Sequence, residues 1–154
     1  MNPLRENRAK HKLQRGEIVT CIGGMNLMTS EVIDYIGQFG FDAAGIETEH
    51  GPVSWEQIGD FSRACDLWDM ASVVRVPTGE PWVITRTLDR GASGIVVPHV
   101  STKEAAAQVA DAAKFAPLGH RGMYSGRRSF GAANFFEQAN EETLVVVLIE
   151  ELEA

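Results

Sequence analysis

The residues best suited to chemistry are carboxylates, an imidazole and a guanidinium, each at the close of a short apolar run. Glu47, Glu49 and His50 follow the run 41–46, Arg75 closes the run 71–76 just before Pro77, Pro98 and His99 follow 94–97, and Glu150 ends the run beginning at Leu144. Side chains alternate along a strand, so Glu47 and Glu49 fall on one side. If these runs are strands of one parallel barrel, their ends open on the face that carries the active site. Acid, base and fixed positive charge on one rim suit enolate chemistry, in which a proton leaves carbon and charge develops on oxygen. Each residue also has a plain structural reading. Arg75 can pair with Asp89, Glu150 can complement the dipole of a following helix, and His50 can be an ordinary loop residue.

Such positioning needs strands alternating with helices, and the chain reads that way. Apolar, β-branched runs at 18–22, 41–46, 71–76, 94–97 and 144–149 predict strands. The first closes at Gly23-Gly24. A helix over 30–39 places Val32, Ile33, Ile36 and Phe39 on one stripe, and Gly40 ends it. Ser54 caps a helix carrying Ile58, Phe61 and Cys65. Pro81 suits the first turn of a helix with Val83, Ile84, Thr87 and Leu88. Ser101-x-x-Glu104 reads as a capping box before an alanine-rich helix. A long loop follows, then a helix over 133–140. Apolar strands between amphipathic helices imply a parallel sheet covered on its faces. A doubly wound sheet and a β/α barrel both satisfy that pattern. No G-x-G-x-x-G follows a strand, which counts against a dinucleotide fold.

The 154 residues suit one domain, and 44% hydrophobic with 23% charged residues is an ordinary globular composition. A net charge of −7 argues against general nucleic-acid binding but leaves room for a local basic pocket. Cys21 and Cys65 lack metal-ligand spacing, and a reduced, cytoplasmic protein is expected. The opening segment MNPLRENRAKHKLQRGE is too polar for a signal peptide or membrane anchor. No apolar run approaches the roughly 20 residues of a spanning helix. After the last strand, Glu150-Glu151-Leu152-Glu153-Ala154 reads as the start of another helix. A single helical turn is not stable alone, so the polypeptide is expected to continue past Ala154.

Several strings resemble one known family. Gly40-Phe41-Asp42, Glu49-His50-Gly51-Pro52, Val74-Arg75-Val76-Pro77, Leu88-Asp89-x-Gly91-Ala92-x-Gly94-Ile95, Val97-Pro98-x-Val100, Ala116-Pro117-x-Gly119-x-Arg121-Gly122 and Ile149-Glu150 occur in order. Together they resemble the class II pyruvate aldolases of the HpcH/HpaI family. The resemblance implies a (β/α)8 TIM barrel of the phosphoenolpyruvate/pyruvate superfamily, of which residues 1–154 would be the N-terminal part, ending before strand six. It also implies a homo-oligomer, typically a hexamer. Its members cleave or form 4-hydroxy-2-oxo acids from a keto acid and an aldehyde.

The resemblance places one ligand to a divalent metal (Mg2+, Mn2+ or Co2+) on Glu150, with a second, an aspartate, after the sixth strand. It makes His50 the catalytic histidine and Arg75 the arginine on the pyruvate oxygen. Glu47 stands where an aspartate often pairs with that histidine, and Glu49 and Arg121 lie in motifs expected to touch substrate. The physics is compatible: a Lewis acid and a guanidinium stabilise an enolate, and an imidazole exchanges protons near neutrality. Two departures stand out: Glu47 is one methylene longer than aspartate, and Leu148 replaces a glutamine found in some members. Arg121 falls in the basic loop 119–131, whose alternative reading is a solvated surface. Two further readings are a CoA-ester lyase of the same superfamily and a non-catalytic barrel fragment acting in binding or assembly.

Overall fold

The computed structural model describes residues 4–23, 28–152 and 154. Gly24, the first three residues and Glu153, used above, lie outside the described residues. The elements are α1 (Arg8–Gln14), β1 (Cys21–Gly23), α2 (Ser30–Gly37), β2 (Ala43–Glu47), α3 (Trp55–Leu67), β3 (Ala71–Arg75), α4 (Pro81–Asp89), β4 (Gly94–Val97), α5 (Lys103–Ala113), α6 (Phe135–Glu142) and β5 (Leu144–Val147). All strand pairings are parallel, and the sheet runs β1-β2-β3-β4-β5 in chain order. Sequential order is that of a barrel, because a doubly wound sheet reverses its order at a switch point. The described residues therefore form part of a (β/α) barrel.

Period two sorts each strand into two faces. Ala44, Ile46, Val74, Ile95 and Val97 face the helices and form the main core with Ile33, Ile58, Val83 and Ile84. These residues are at most 2% exposed. Replacing one of the isoleucines by alanine costs about 2–5 kcal/mol. The opposite face is lined by small residues, Ala43, Ala71 and Val73, and Ala9 of α1 packs against them. Glu47 and Arg75 continue that inner face, where they are register partners.

Local chemistry sets most helix starts. Ser54 accepts from the Gln57 N–H while Gln57 reaches back, a full capping box, and such a cap is worth about 1 kcal/mol. Pro81 occupies the first turn of α4 as expected. At α5 the cap is Thr102, which accepts from the Ala105 N–H. Ser101, expected there, instead donates to Glu151 at 2.5 Å. Phe39 lies beyond the end of α2, is exposed, and meets Tyr35 edge-on.

The polar opening segment forms α1, which seals the N-terminal end of the sheet. Asn7 accepts from the Lys10 N–H, and its amide donates to the carbonyls of Ser93 and Glu142. Arg8 and Lys12 both pair with the buried Asp42. Burial alone would raise that carboxyl. Bonds from Lys12, the Thr20 N–H and Arg8 outweigh it and hold Asp42 well below the usual carboxylate range. Among the described residues no helix is long and apolar enough to cross a membrane.

Candidate active site

The C-terminal ends of β2, β3, β4 and β5 converge on one rim. Arg75, the last residue of β3, stands opposite Glu47 of β2. Its Nη1 lies 3.4 Å from Glu47 Oε2, and its Nη2 lies 2.5 Å from Glu49 Oε2. The second contact is an ion pair without an aligned hydrogen bond. Glu49 Oε2 and Arg75 Nε are both buried and have no hydrogen-bond partner among the described residues. The guanidinium is thus pinned between two carboxylates and still keeps an unused donor. Arg75 does not reach Asp89, which binds Arg121 instead.

A tight turn carries His50 out of β2. Thr48 donates its N–H and hydroxyl to the Arg75 carbonyl at 3.1 and 2.6 Å. Glu47 Oε1 accepts the main-chain N–H groups of Glu49 and His50 at 2.7 and 3.2 Å. A side chain at Gly51 would put its Cβ 2.6 Å from the Glu47 carbonyl, so only glycine fits there. Glu47 therefore organises the backbone that presents His50 and does not touch its ring. The nearest carboxylate to that ring is Glu49, 3.7 Å from Nε2, and the imidazole is 70% exposed.

Sequence reasoning placed His99 after β4 without giving it a role. Here it adopts φ 55°, uncommon for a residue with a side chain. Its N–H donates to Glu150 Oε1 at 3.0 Å. Its ring lies 3.5 Å from Glu49 Oε1 on one side, and 3.5 and 3.3 Å from Glu150 Oε1 and Glu151 Oε1 on the other. His99 thus joins the Arg75 cluster to the Glu150 carboxylate.

Arg121, expected from its motif to bind substrate, does not lie on this rim. Its guanidinium is buried, donates to Asp89 at 2.8 Å and stacks on Phe115 with 4.4 Å to the ring centroid. Asp89 ends α4 and Arg121 follows α5, so both sit at the N-terminal end of the sheet.

The rim's chemistry suits a hard cation. Glu47, Glu49, Glu150 and Glu151 face one guanidinium there, and such an excess of carboxylate repels an anionic substrate unless a divalent ion offsets it. Carboxylate oxygens prefer magnesium- or manganese-like ions. Among the described residues no group of three or more potential ligands is assembled. Glu150, with a 35% exposed side chain at the rim, is free to offer an oxygen donor there.

Comparison with known proteins points the same way. The profile described as HpcH/HpaI aldolase/citrate lyase matches residues 25–154. The chain is 35% identical over 153 residues to a hydroxypyruvate/pyruvate aldolase of Roseobacter denitrificans, covering 96% of this chain and 59% of that protein. It is 33% identical over 153 residues to a 5-keto-4-deoxy-D-glucarate aldolase of Shigella boydii, covering 96% and 58%. A solved HpcH/HpaI aldolase/citrate lyase family protein from Burkholderia cenocepacia superposes with a TM-score of 0.85 at 26% identity, covering 96% and 61%. The chain spans about three fifths of the length of these relatives.

Proposed function

The chain belongs to the HpcH/HpaI aldolase/citrate lyase family, and from that premise we propose that it carries the His50–Arg75–Glu150 part of a metal-dependent pyruvate aldolase site. The reaction is cleavage or formation of a 4-hydroxy-2-oxo acid, with a pyruvate enolate as nucleophile and an aldehyde as acceptor. The observation that supports it best is Arg75, held by Glu47 and Glu49 while its buried Nε remains without an acceptor. A half-buried guanidinium whose buried Nε keeps a spare donor is a ready receptor for a keto acid oxygen.

Arg75 binds and orients the keto acid, and its fixed charge stabilises the enolate oxygen as the methyl proton passes to a solvent-derived base. His50, exposed at the tip of its turn, exchanges a proton with the acceptor's carbonyl oxygen as the carbon–carbon bond forms or breaks. Glu47 holds the turn and Glu49 holds Arg75. A divalent cation with Glu150 as one ligand supplies Lewis-acid polarisation of the keto group when bound. The remaining strands and the second metal carboxylate lie outside residues 1–154 in this reading. The working protein is then a cytoplasmic homo-oligomer, with a hexamer as the expected assembly.

A coupled assay of pyruvate formation from a 4-hydroxy-2-oxo acid tests this, run with and without Mn2+ on a polypeptide that completes the barrel. Metal-dependent release of pyruvate supports it. Turnover of malyl-CoA in its place makes the protein a CoA-ester lyase, and no turnover of either leaves a binding or assembly role.

A further inference from the structure

At the N-terminal end of the sheet, opposite the rim just described, lies an arginine-lined cavity. Its volume is about 430 Å3, and Arg5, Arg63, Arg127 and Arg128 line it with Asp66 and Phe130. A second hollow of about 320 Å3 shares Arg63 and Arg127 and adds Arg86 and Arg90. Six guanidinium groups thus border one surface of a chain whose net charge is −7.

The carboxylates nearby do not balance them. Asp66 pairs with Arg127 at 2.7 Å, Asp60 with Arg63 at 2.7 Å, and Asp89 with Arg121 at 2.8 Å. Among the described residues, Arg5, Arg86, Arg90 and Arg128 are in none of the ion pairs. Arg86 stacks over the Trp55 ring at 4.8 Å, and more distant carboxylates and helix C-terminal dipoles offset the mutual repulsion of these cations only in part. Burial pushes the Arg128 guanidinium down from its ordinary value, and the charges of Asp66 and Glu142 offset this only in part.

The groups are also held in place before any ligand arrives. Arg127 donates from Nε to Ser62 Oγ at 2.9 Å and from Nη2 to Asp66. Arg128 donates to the Arg5 carbonyl and Arg5 to the Asp66 carbonyl, each at 2.9 Å. Gly91, at φ +114°, leaves the room Arg127 needs: a Cβ there would sit 2.5 Å from its Nε. Arginine forks fixed in this way match planar or tetrahedral oxyanions with little ordering cost.

We propose that this cavity binds a small polyanion, a ligand bearing two or more phosphate or carboxylate groups, between Arg63 of α3 and the Arg127–Arg128 turn. A bound polyanion ties the 124–131 segment to α3 and to the start of α1. The site is separate from the aldolase rim and does not depend on that assignment.

The probes are inorganic pyrophosphate and tricarballylate, titrated calorimetrically into the metal-free protein with excess pyruvate present. Saturable binding of one probe per chain is expected. Tighter pyrophosphate marks a phosphorylated ligand, and tighter tricarballylate a polycarboxylate. Arg128→Gln and the more exposed Arg63→Gln should each weaken binding by about tenfold or more, while Arg15→Gln, on an unrelated surface pair, leaves it unchanged. Circular dichroism confirms that each variant is folded. Absence of saturable binding overturns the proposal, as does equal weakening by Arg15→Gln. An oligomer that ignores both probes but dissociates on Arg63→Gln also overturns it, because the arginines then serve a subunit contact.

Discussion

Glu47 and Arg75 are register partners on neighbouring parallel strands, and their charged groups approach to 3.4 Å on the inner face of the barrel. The same Glu47 carboxylate accepts the main-chain N–H groups of Glu49 and His50. One side chain therefore couples the position of the guanidinium to the shape of the turn that carries the imidazole.

Arg75→Lys should lower aldol turnover by roughly a hundredfold, the scale for losing one oriented donor at a developing oxyanion. Lysine keeps the charge but cannot span Glu47 and Glu49 while offering a further donor. Thermal stability should change little. Full activity in a folded Arg75→Lys protein makes Arg75 structural.

Glu47→Ala should cost about 1–3 kcal/mol of stability, because the N–H groups of Glu49 and His50 lose their acceptor. Activity should fall as well, since His50 is no longer presented. Denaturant titration and steady-state kinetics on the same preparation measure both. Lost activity with unchanged stability would point instead to direct contact between Glu47 and the reacting groups.

Arg121→Ala should destabilise the protein by about 3 kcal/mol, as when one partner of a buried ion pair is removed. The Michaelis constant for keto acid should hold steady in the fraction that folds. A raised constant with unchanged melting temperature would return Arg121 to the substrate.

Asp42 predicts an acid limb. Its native carboxyl is held below the ordinary value of 3.8, so the unfolded chain binds the proton more readily. Stability from this group is fully present above that value and is lost as pH falls through it toward the native one. Urea midpoints should therefore drop between about pH 5 and 3, and Asp42→Asn should flatten that slope. Parallel slopes for the two proteins would remove Asp42 as the cause.

Much of the fold is legible because it is written locally. The run 94–97 is β4 without adjustment, and Ser54 and Pro81 start their helices where their chemistry requires. What was missed depends on partners distant in sequence. The α1 segment looks merely polar until Asn7 meets Ser93 and Glu142, and Arg8 meets Asp42. Arg121 reads as a loop cation until Phe115 and Asp89 enclose it. At the rim, strand ends disclosed Glu47, Glu49, His50, Arg75 and Glu150. The linking role of His99 was hidden in its left-handed backbone, which histidine does not advertise.

Exchange of pyruvate methyl protons with deuterium, followed by NMR in D2O, isolates enolate formation from acceptor chemistry. On a polypeptide that completes the barrel, exchange should require Mn2+ or Mg2+. It should fall roughly a hundredfold in Arg75→Lys and be abolished, along with metal binding measured calorimetrically, in Glu150→Ala. Exchange that proceeds without metal, or at the wild-type rate in both variants, would contradict an enolate formed between Arg75 and a Glu150-bound cation.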